Sequence, residues 1–513
     1  MVFFKVIMFA IGRIPADIFE KRNINQNNNG KMPVKFYKSE NQVPLEMHKV
    51  RVVQKLRLLP VEERLRAIQD AGNNTFLLQN RDVYLDMLTD SGVNGMSDLQ
   101  TAAMFQADDS YAGSETFNRV KAAVKEVFGC DNVLPAHQGR ACENILAEAY
   151  VKPGQVAIMN FHFTTTKAHI TRLGGEVIEV VSRKGLEPAS DNPFKGDFDL
   201  EELKATIEKH GAENVAFVRI EAGTNLIGGQ PVSLENMLAV ADICHKYKIK
   251  SVLDASLLQD NVYFMKTREA QCKYMTTREI YHLLASKIDI IYFSARKLGF
   301  SRGGIICSVD AKYTNEMMEY IPLYEGFLTY GGMEVRSMEA LAQGLYESLD
   351  MEYINQGPEF ISYLVKELDD YGVPVITPAG GLGAHLNCSA FVPDMPHDQY
   401  PAAAVGAAIY IAGGIRGMER GTVSEQREAD GTERFAELEL QRLAVPRRVY
   451  TLSQIKYVAD RVKWVWDNRH IIGGLQWTME PKVLRFFFGR MKEIGHWQED
   501  LVAKFKEDFG DSL

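Results

Sequence analysis

The sequence has few cysteines, no strongly basic region and no apolar run long enough to cross a bilayer. Its six cysteines are scattered over 513 residues without a CxxC pair or a metal-ligand spacing. We therefore expect free thiols in a cytoplasmic protein rather than a disulfide framework. The formal net charge of -9 argues against a nucleic-acid-binding protein, because such proteins usually present a basic face. The sequence thus predicts a protein that binds neither nucleic acid nor membrane.

The N-terminus differs in composition from the rest of the chain. MVFFKVIMFAIGRIP is apolar but too short to span a bilayer, and the polar stretch NINQNNNGK follows it. No small-residue cleavage site stands out, so a signal peptide is the less favoured of two interpretations. We expect residues 1–45 to form a poorly ordered or docking extension.

The middle of the chain alternates between predicted helices and strands. In PVSLENMLAVADICHKYKIKSVLDAS, Ser233 is placed to cap a helix, and apolar residues between Leu234 and Cys244 recur on one helical face. SVL then enters a strand that stops at Asp254. The apolar runs VAFVRI and IDIIYF also end in polar or small residues. This alternation predicts a parallel sheet covered by helices.

Polar residues follow several of these predicted strands. Ligands bind beyond the carboxyl ends of strands in parallel sheets, which places Asn225, Asp254 and Lys297 at one edge. HQGR, at 137–140, precedes the helical run ACENILAEAYV, and amides with an arginine at a helix N-terminus form an anion site. Ser294 adds a hydroxyl. A phosphate site, a carboxylate and a lysine are what pyridoxal phosphate requires, although the same spacing also arises by chance in many chains.

A series of ordered motifs resembles one enzyme family. The motifs are LTDSGVNGMSD, DDSYAGSETF, PAHQGRACEN, FHFTTT, TNLIGGQPVS, SARK, TYGGMEVRSMEA, GMERG, RLAVPRRVYT and EPKVLRFF. They extend over nearly all of residues 55–490. Together they resemble the β-eliminating lyases, the family of tyrosine phenol-lyase and tryptophanase.

The resemblance implies a pyridoxal-phosphate carbon–carbon lyase of fold type I. Such an enzyme would cleave the bond from Cβ to the ring of an aromatic, tyrosine-like L-amino acid by α,β-elimination and give a phenol, pyruvate and ammonium. The expected fold is α/β and aspartate-aminotransferase-like, with a large domain around a mostly parallel seven-stranded sheet and a smaller α+β domain. On that basis residues 46–95 join the small domain, 96–350 form the large cofactor-binding domain, and 351–513 form the small domain. Members of the family usually form homotetramers with active sites at a dimer interface.

Cofactor contacts transfer to this sequence at matching motif positions. The resemblance gives Lys297 the covalent link to the cofactor and the removal of the substrate Cα proton. It gives Asp254 the contact with the pyridine nitrogen. Asn225 matches a residue near the phenolic oxygen of the cofactor, and Phe163 matches the aromatic residue stacked on its ring. The expected phosphate ligands are Gln138, Gly139, Arg140 and Ser294.

Substrate contacts transfer in the same way. Arg442 matches the arginine that binds the substrate carboxylate, and Tyr111 matches the tyrosine that protonates the leaving group from a neighbouring subunit. At the positions that separate the two branches, the chain carries the threonine, phenylalanine and arginine of the phenol-lyases. The residues expected around the substrate ring, with catalytic contacts from the first two, are Thr164, Arg420, Phe486 and Phe487.

Two further features fit the family pattern loosely or depart from it. Gly92, Asp109 and Ser301 resemble a site for a monovalent cation such as K⁺, although the loop after Lys297 is one residue shorter than the pattern. Leu257 stands where both branches carry an arginine beside the cofactor ring. Three interpretations stay open: a tyrosine lyase that tolerates the change, a relative with another substrate or reaction, and a catalytically quiet scaffold protein. Substituted tyrosine or tryptophan and S-substituted cysteine are the alternative substrates.

Overall fold

The computed structural model describes residues 43–428 and 430–512. The predicted N-terminal extension therefore lies outside the described residues, apart from positions 43–45. The strands, numbered in chain order, are β1 (Leu85–Asp86), β2 (Asn132–Ala136), β3 (Val156–Met159), β4 (Glu176–Glu179), β5 (Val215–Glu221), β6 (Ser251–Asp254), β7 (Ile290–Ser294), β8 (Gly304–Ser308), β9 (Gly383–Asn387), β10 (Ile415–Arg416), β11 (Met418–Arg420), β12 (Leu440–Ala444), β13 (Leu475–Met479) and β14 (Arg490–Glu493). The helices are α1 (Val61–Asp70), α2 (Asp98–Ala103), α3 (Glu115–Phe128), α4 (Gly139–Tyr150), α5 (Thr164–Arg172), α6 (Leu200–His210), α7 (Leu234–Tyr247), α8 (Leu258–Arg268), α9 (Thr277–Lys287), α10 (Ala311–Met317), α11 (Tyr320–Tyr324), α12 (Val335–Glu347), α13 (Met351–Asp370), α14 (Cys388–Phe391), α15 (Pro401–Gly413), α16 (Leu452–Asp467), α17 (Arg485–Phe488) and α18 (Trp497–Phe509).

The larger sheet has seven strands in the order β2-β8-β7-β6-β5-β3-β4. β8 pairs antiparallel with β2 and β7, and the other pairings are parallel. Along β7, Ile290 and Tyr292 lie in one buried cluster and Ile291 and Phe293 in another, because successive side chains of a strand point to opposite faces. Each cluster also contains helix residues, so helices pack on both faces, and the strands β3, β7 and β8 are almost wholly apolar. The predicted mostly parallel seven-stranded sheet is confirmed.

A second hydrophobic core lies outside that sheet. One buried cluster joins residues of 61–88 to residues of 360–505, and the antiparallel strands β11-β12-β9 lie in this part of the chain. Helix α15, PAAAVGAAIYIAG, is buried along its whole length, as expected for a helix that is apolar on all sides. It is too short to span a bilayer, and no helix in the described part of the chain is both long and apolar enough to do so.

Three parallel strands of the larger sheet end side by side. Glu221 of β5 is in register with Asp254 of β6, and Asp254 is in register with Tyr292 of β7. Helix α4 begins at Gly139 shortly after β2, and α5 begins at Thr164 shortly after β3. The ends of the parallel strands and the N-termini of these helices therefore meet at one edge of the sheet.

Candidate active site

A cavity of about 280 Å³ opens at the carboxyl edge of the sheet. The predicted site residues in its wall are Gln138, Gly139, Arg140, Phe163, Thr164, Asn225, Asp254, Ser294, Lys297, Arg420, Arg442, Phe486 and Phe487. The remaining predicted residues, Tyr111, Gly92, Asp109 and Ser301, do not line it. The cavity thus joins the sheet to strands β11 and β12 and to helix α17 of the second core.

Lys297 lies just beyond β7 and reaches the cavity. Its backbone N–H donates to Ser294 O over 3.0 Å, in the turn that follows the strand. Its Nζ lies 3.9 Å from Asp90 Oδ1 and 6.0 Å from the centre of the Phe163 ring. Asp90 is shared, because Arg447 Nη1 lies 3.0 Å from its Oδ2. The amine therefore faces the cavity with a carboxylate that a second cation also holds.

Asp254 is held by a buried network that the sequence reasoning missed. Arg219 Nη2 donates to Asp254 Oδ2 over 2.6 Å, and the Tyr292 hydroxyl donates to the same oxygen over 2.9 Å. Arg219 also donates to Tyr292 Oη over 2.8 Å and to Glu221 Oε2 over 3.0 Å. Burial raises the pKa of Tyr292 well above its usual range, so the phenol keeps the proton that it donates. Arg219 and Glu221 are the charged residues in the otherwise apolar strand VAFVRIE, and this was the signal that could have found them.

Two buried arginines face the cavity without a carboxylate partner among the described residues. Arg442 Nη1 donates to Asn225 Oδ1 over 2.8 Å, but its Nε has no hydrogen-bond partner. Arg420 is 4% exposed, and neither its Nε nor its Nη1 has a partner. Its guanidinium carbon lies 5.7 Å from the centres of the Phe163 and Phe486 rings.

The environment of these arginines favours an anionic ligand. Burial first, and then Arg442, lowers the pKa of Arg420, while burial lowers the pKa of Arg442 to about 10. Burying a charge without a counter-charge is unfavourable. The cavity therefore fits a ligand that carries two separate acidic or polar oxygen groups.

The N-terminus of α4 lies in the cavity wall, where its free N–H groups suit an anion. Gln138 precedes the helix and makes no side-chain cap, so no side chain competes with an anion there. A Cβ at Gly139 would lie 2.8 Å from Ser294 Cβ, which is why the helix can approach the strand end only with glycine. The guanidinium carbon of Arg140 lies 5.0 Å from the Phe487 ring centre. The helix N-terminus and Arg140 together fit the phosphate of the expected cofactor. Lys297 and Asp254, the other expected cofactor contacts, lie in the same cavity.

The other predicted residues lie away from the cavity of their own chain. Tyr111 is 67% exposed and packs on Phe327, with 5.2 Å between ring centres. Asp109 precedes it on the same exposed loop. Ser301 Oγ donates to the backbone of Ser337 over 2.7 Å. Gly92 faces the side chains of Arg296 and Arg302.

Leu257 is part of the cavity wall. It is buried and clusters with Leu382 and Ala444. A Cβ at Gly223 would lie 3.0 Å from Leu257 Cβ, so the wall is closely packed here. The position where the family arginine was expected is therefore apolar.

Glu143 is a further residue that the sequence reasoning missed. It lines the cavity from α4, and Thr165 Oγ1 donates to its Oε2 over 2.6 Å. Burial raises the pKa of Glu143 to about 7, although Arg219 and Thr165 act in the opposite direction. The feature of the sequence that could have indicated Glu143 is an acidic residue within a mostly apolar helix.

Glu143→Gln should flatten the dependence of stability on pH. A carboxyl with a raised folded-state pKa binds more protons folded than unfolded, so its contribution to stability falls as pH rises from the unfolded pKa of about 4.3 towards 7. We expect the wild type to lose roughly 2 to 4 kcal/mol from this group between pH 5 and pH 8, and the variant to lose none of it. Denaturant unfolding at both pH values measures this. Glu201→Gln, on an exposed face of α6, is the control, and equal losses in all three proteins would refute the prediction.

The chain has the same fold as two groups of known enzymes. The fold is shared with a putative kynurenine aminotransferase, Bna3p, of Saccharomyces cerevisiae, at a TM-score of 0.58 and 15% identity over 82% of this chain and all of that one. It is also shared with a Thermus thermophilus aspartate aminotransferase variant, at a TM-score of 0.53 and 12% identity over 79% of this chain and 95% of that one. The chain thus has the aspartate-aminotransferase-like fold that was expected.

Sequence comparison then gives the family. The family model of the β-eliminating lyases matches residues 86–461 of this chain. Tyrosine phenol-lyase of Symbiobacterium thermophilum is 39% identical over 451 residues, 88% of this chain and 98% of that protein. Tyrosine phenol-lyase of Fusobacterium nucleatum is 40% identical over 449 residues, 87% of this chain and 98% of that protein. The chain belongs to the β-eliminating lyase family, and the prediction made from its motifs is confirmed.

Proposed function

We propose that this chain is a pyridoxal-phosphate-dependent carbon–carbon lyase that converts tyrosine and water to phenol, pyruvate and ammonium by α,β-elimination. The observation that carries the proposal is the pair of buried arginines without carboxylate partners, Arg420 and Arg442, in the same cavity as Lys297. Tyrosine has a carboxylate for one arginine and a ring oxygen for the other. The relatives at 38–40% identity that are named tyrosine phenol-lyases support the same substrate.

The residues of the cavity wall suit this cofactor. Lys297 would bind it covalently, Asp254 would contact its pyridine nitrogen, Asn225 would lie near its phenolic oxygen, and Phe163 would stack on its ring. Gln138, Gly139, Arg140 and Ser294 would hold its phosphate. When bound, pyridoxal phosphate supplies an electron-withdrawing ring that stabilises negative charge at the substrate Cα.

The side chains of this protein would bind the substrate and move its protons. Arg442 binds the substrate carboxylate in a forked geometry that a lysine does not reproduce. Lys297 removes the Cα proton as a general base. Arg420 and Thr164 hold the ring oxygen, with Phe486 and Phe487 packed around the ring.

Protonation of the leaving ring carbon would come from Tyr111 of a neighbouring copy. Tyr111 is exposed and does not line the cavity of its own chain, and both observations support this role. The proposal includes a homotetramer with active sites at a dimer interface. It also includes the division into 46–95, 96–350 and 351–513, and a cytoplasmic location in keeping with six free buried cysteines.

Purified protein supplied with pyridoxal phosphate and tyrosine tests the proposal. We expect phenol, pyruvate and ammonium in equal amounts, measured by chromatography and coupled enzyme assays. Tryptophan and S-methylcysteine are run in parallel. Turnover of one of these without turnover of tyrosine would refute the substrate and implicate the apolar wall at Leu257. Failure to take up the cofactor would refute the enzyme proposal and favour a scaffold role.

A further inference from the structure

Arginine side chains lie beside Gly92, one of the three residues expected to hold a monovalent cation. Gly92 has a left-handed backbone with φ of +77°. A Cβ on this glycine would lie 2.8 Å from both Nε and Nη2 of Arg296, and 2.9 Å from Nη1 of Arg302. Two guanidinium groups therefore occupy the space beside the Gly92 Cα.

The charges at this place do not suit a bound cation. Neither Arg296 nor Arg302 forms an ion pair with a carboxylate within residues 43–428 and 430–512, and the Nε of Arg296 is buried without a partner. Burial lowers the pKa of Arg296, and the charges of Arg302 and Arg140 lower it further. Like charges a few ångströms apart repel, so a further cation here would add to an existing excess of positive charge.

The other two expected ligands of the cation are Ser301 and Asp109. The Ser301 hydroxyl donates to Ser337 O over 2.7 Å, and the Ser301 N–H donates to Ala295 O over 2.9 Å. Asp109 lies on an exposed loop. Within one copy of the chain, the residues of this site therefore do not fit K⁺.

The arginines are connected to the cavity by the backbone. Arg296 precedes Lys297 and lines the cavity itself. Its carbonyl accepts from Gly92 N over 2.8 Å and from Asn94 Nδ2 over 3.3 Å. The loop from Asp90 to Asn94 is thus attached to the turn that carries Lys297, next to the two guanidinium groups.

We propose that Arg296 and Arg302 take the structural place of a monovalent cation, so that this protein binds its cofactor and works without one. A guanidinium stays charged at every physiological pH and is attached to the chain. Its positive charge is therefore present at the Gly92 loop at any salt composition. The consequence for cofactor binding rests on the function proposed above, whereas the consequence for cation binding does not.

Cofactor titration in different salts tests the inference. Wild-type protein is titrated with pyridoxal phosphate in potassium, sodium and tetramethylammonium chloride at equal ionic strength, with visible absorbance as the readout. We expect the three affinities to agree within about twofold, because no cation binds the folded state specifically. Tighter cofactor binding in potassium by about tenfold or more would overturn the proposal.

Substitution of Arg302 provides the second arm. Arg302→Met removes one charge but keeps an unbranched side chain, and we expect cofactor affinity in tetramethylammonium to fall about tenfold and to recover in potassium. Arg302→Lys keeps the charge and should stay independent of the salt. An Arg302→Met protein that matches the wild type in every salt would overturn the proposal.

Thermal unfolding separates this inference from the proposed function. Without cofactor or substrate, the unfolding midpoint of the wild type should be the same in potassium and tetramethylammonium chloride, since a ligand that binds only the folded state raises it. A higher midpoint in potassium would overturn the inference even if the protein never bound pyridoxal phosphate.

Discussion

Lys297→Ala is expected to lower the rate of β-elimination by about 10³-fold or more, because one side chain supplies both the covalent attachment and the general base. The amine lies in the cavity wall with Asp90 Oδ1 3.9 Å away. Lys297→Arg should be equally inactive, since a guanidinium keeps the positive charge but does not lose a proton at neutral pH. Product formation from tyrosine measures both variants.

A readout other than activity identifies the residue directly. Borohydride reduction of the cofactor-loaded wild type should attach the cofactor permanently to the peptide containing Lys297, as detected by mass spectrometry. Neither variant should carry that label. Lys287→Ala, on the exposed end of α9, is the matched control and should keep both label and activity. A label on another lysine would show that Lys297 is not the point of attachment.

Arg420→Met is expected to lower kcat/KM for tyrosine by about 10²- to 10³-fold, because the ring oxygen of the substrate would lose the buried guanidinium that the proposed function assigns to it. Elimination from an S-alkyl cysteine should stay within about fivefold of wild type, since that substrate has no ring oxygen to hold. Steady-state kinetics with both substrates measures the difference.

Arg442→Met is the matched comparison for that experiment. Arg442 is the other buried arginine of the cavity, held by Asn225 at 2.8 Å. Every amino-acid substrate has a carboxylate, so this variant should impair both substrates to the same degree. Equal impairment of both substrates by Arg420→Met would contradict the assignment of Arg420 to the ring oxygen.

Several parts of the site could be predicted because they depend on short stretches of sequence. Ser233 accepts the hydrogen bond of a helix N-cap from Asn236 N, as its position before an apolar helical pattern indicated. Asp254 and Ser294 end buried strands, as the apolar runs before them indicated. The motifs also indicated the family, since ordered matches along a chain reflect its whole fold.

Other parts could not be predicted because they depend on which distant segments become neighbours. Arg219, Asp254 and Tyr292 belong to three strands, and their network exists because β5, β6 and β7 are adjacent. Strand order is set by the packing of helices on the sheet, not by the local pattern of any strand. Gly92 and Arg302 likewise lie far apart along the chain, so the arginine pair beside Gly92 was not visible in the sequence.

The class of fold, the family and the types of reactive residue at the strand ends could therefore be predicted from the sequence. The alternation of helices and strands, helix capping and motif spacing depend on residues that are close together in the chain, so they can be recognised in the sequence. The charge environment of those residues depends on the tertiary structure: the arginine beside Asp254, the raised pKa of Glu143, the two buried arginines without a carboxylate partner among the described residues, and the arginines beside Gly92. Each of these depends on the distance between side-chain ends and on their separation from water, and both quantities arise only when segments distant in the sequence pack together.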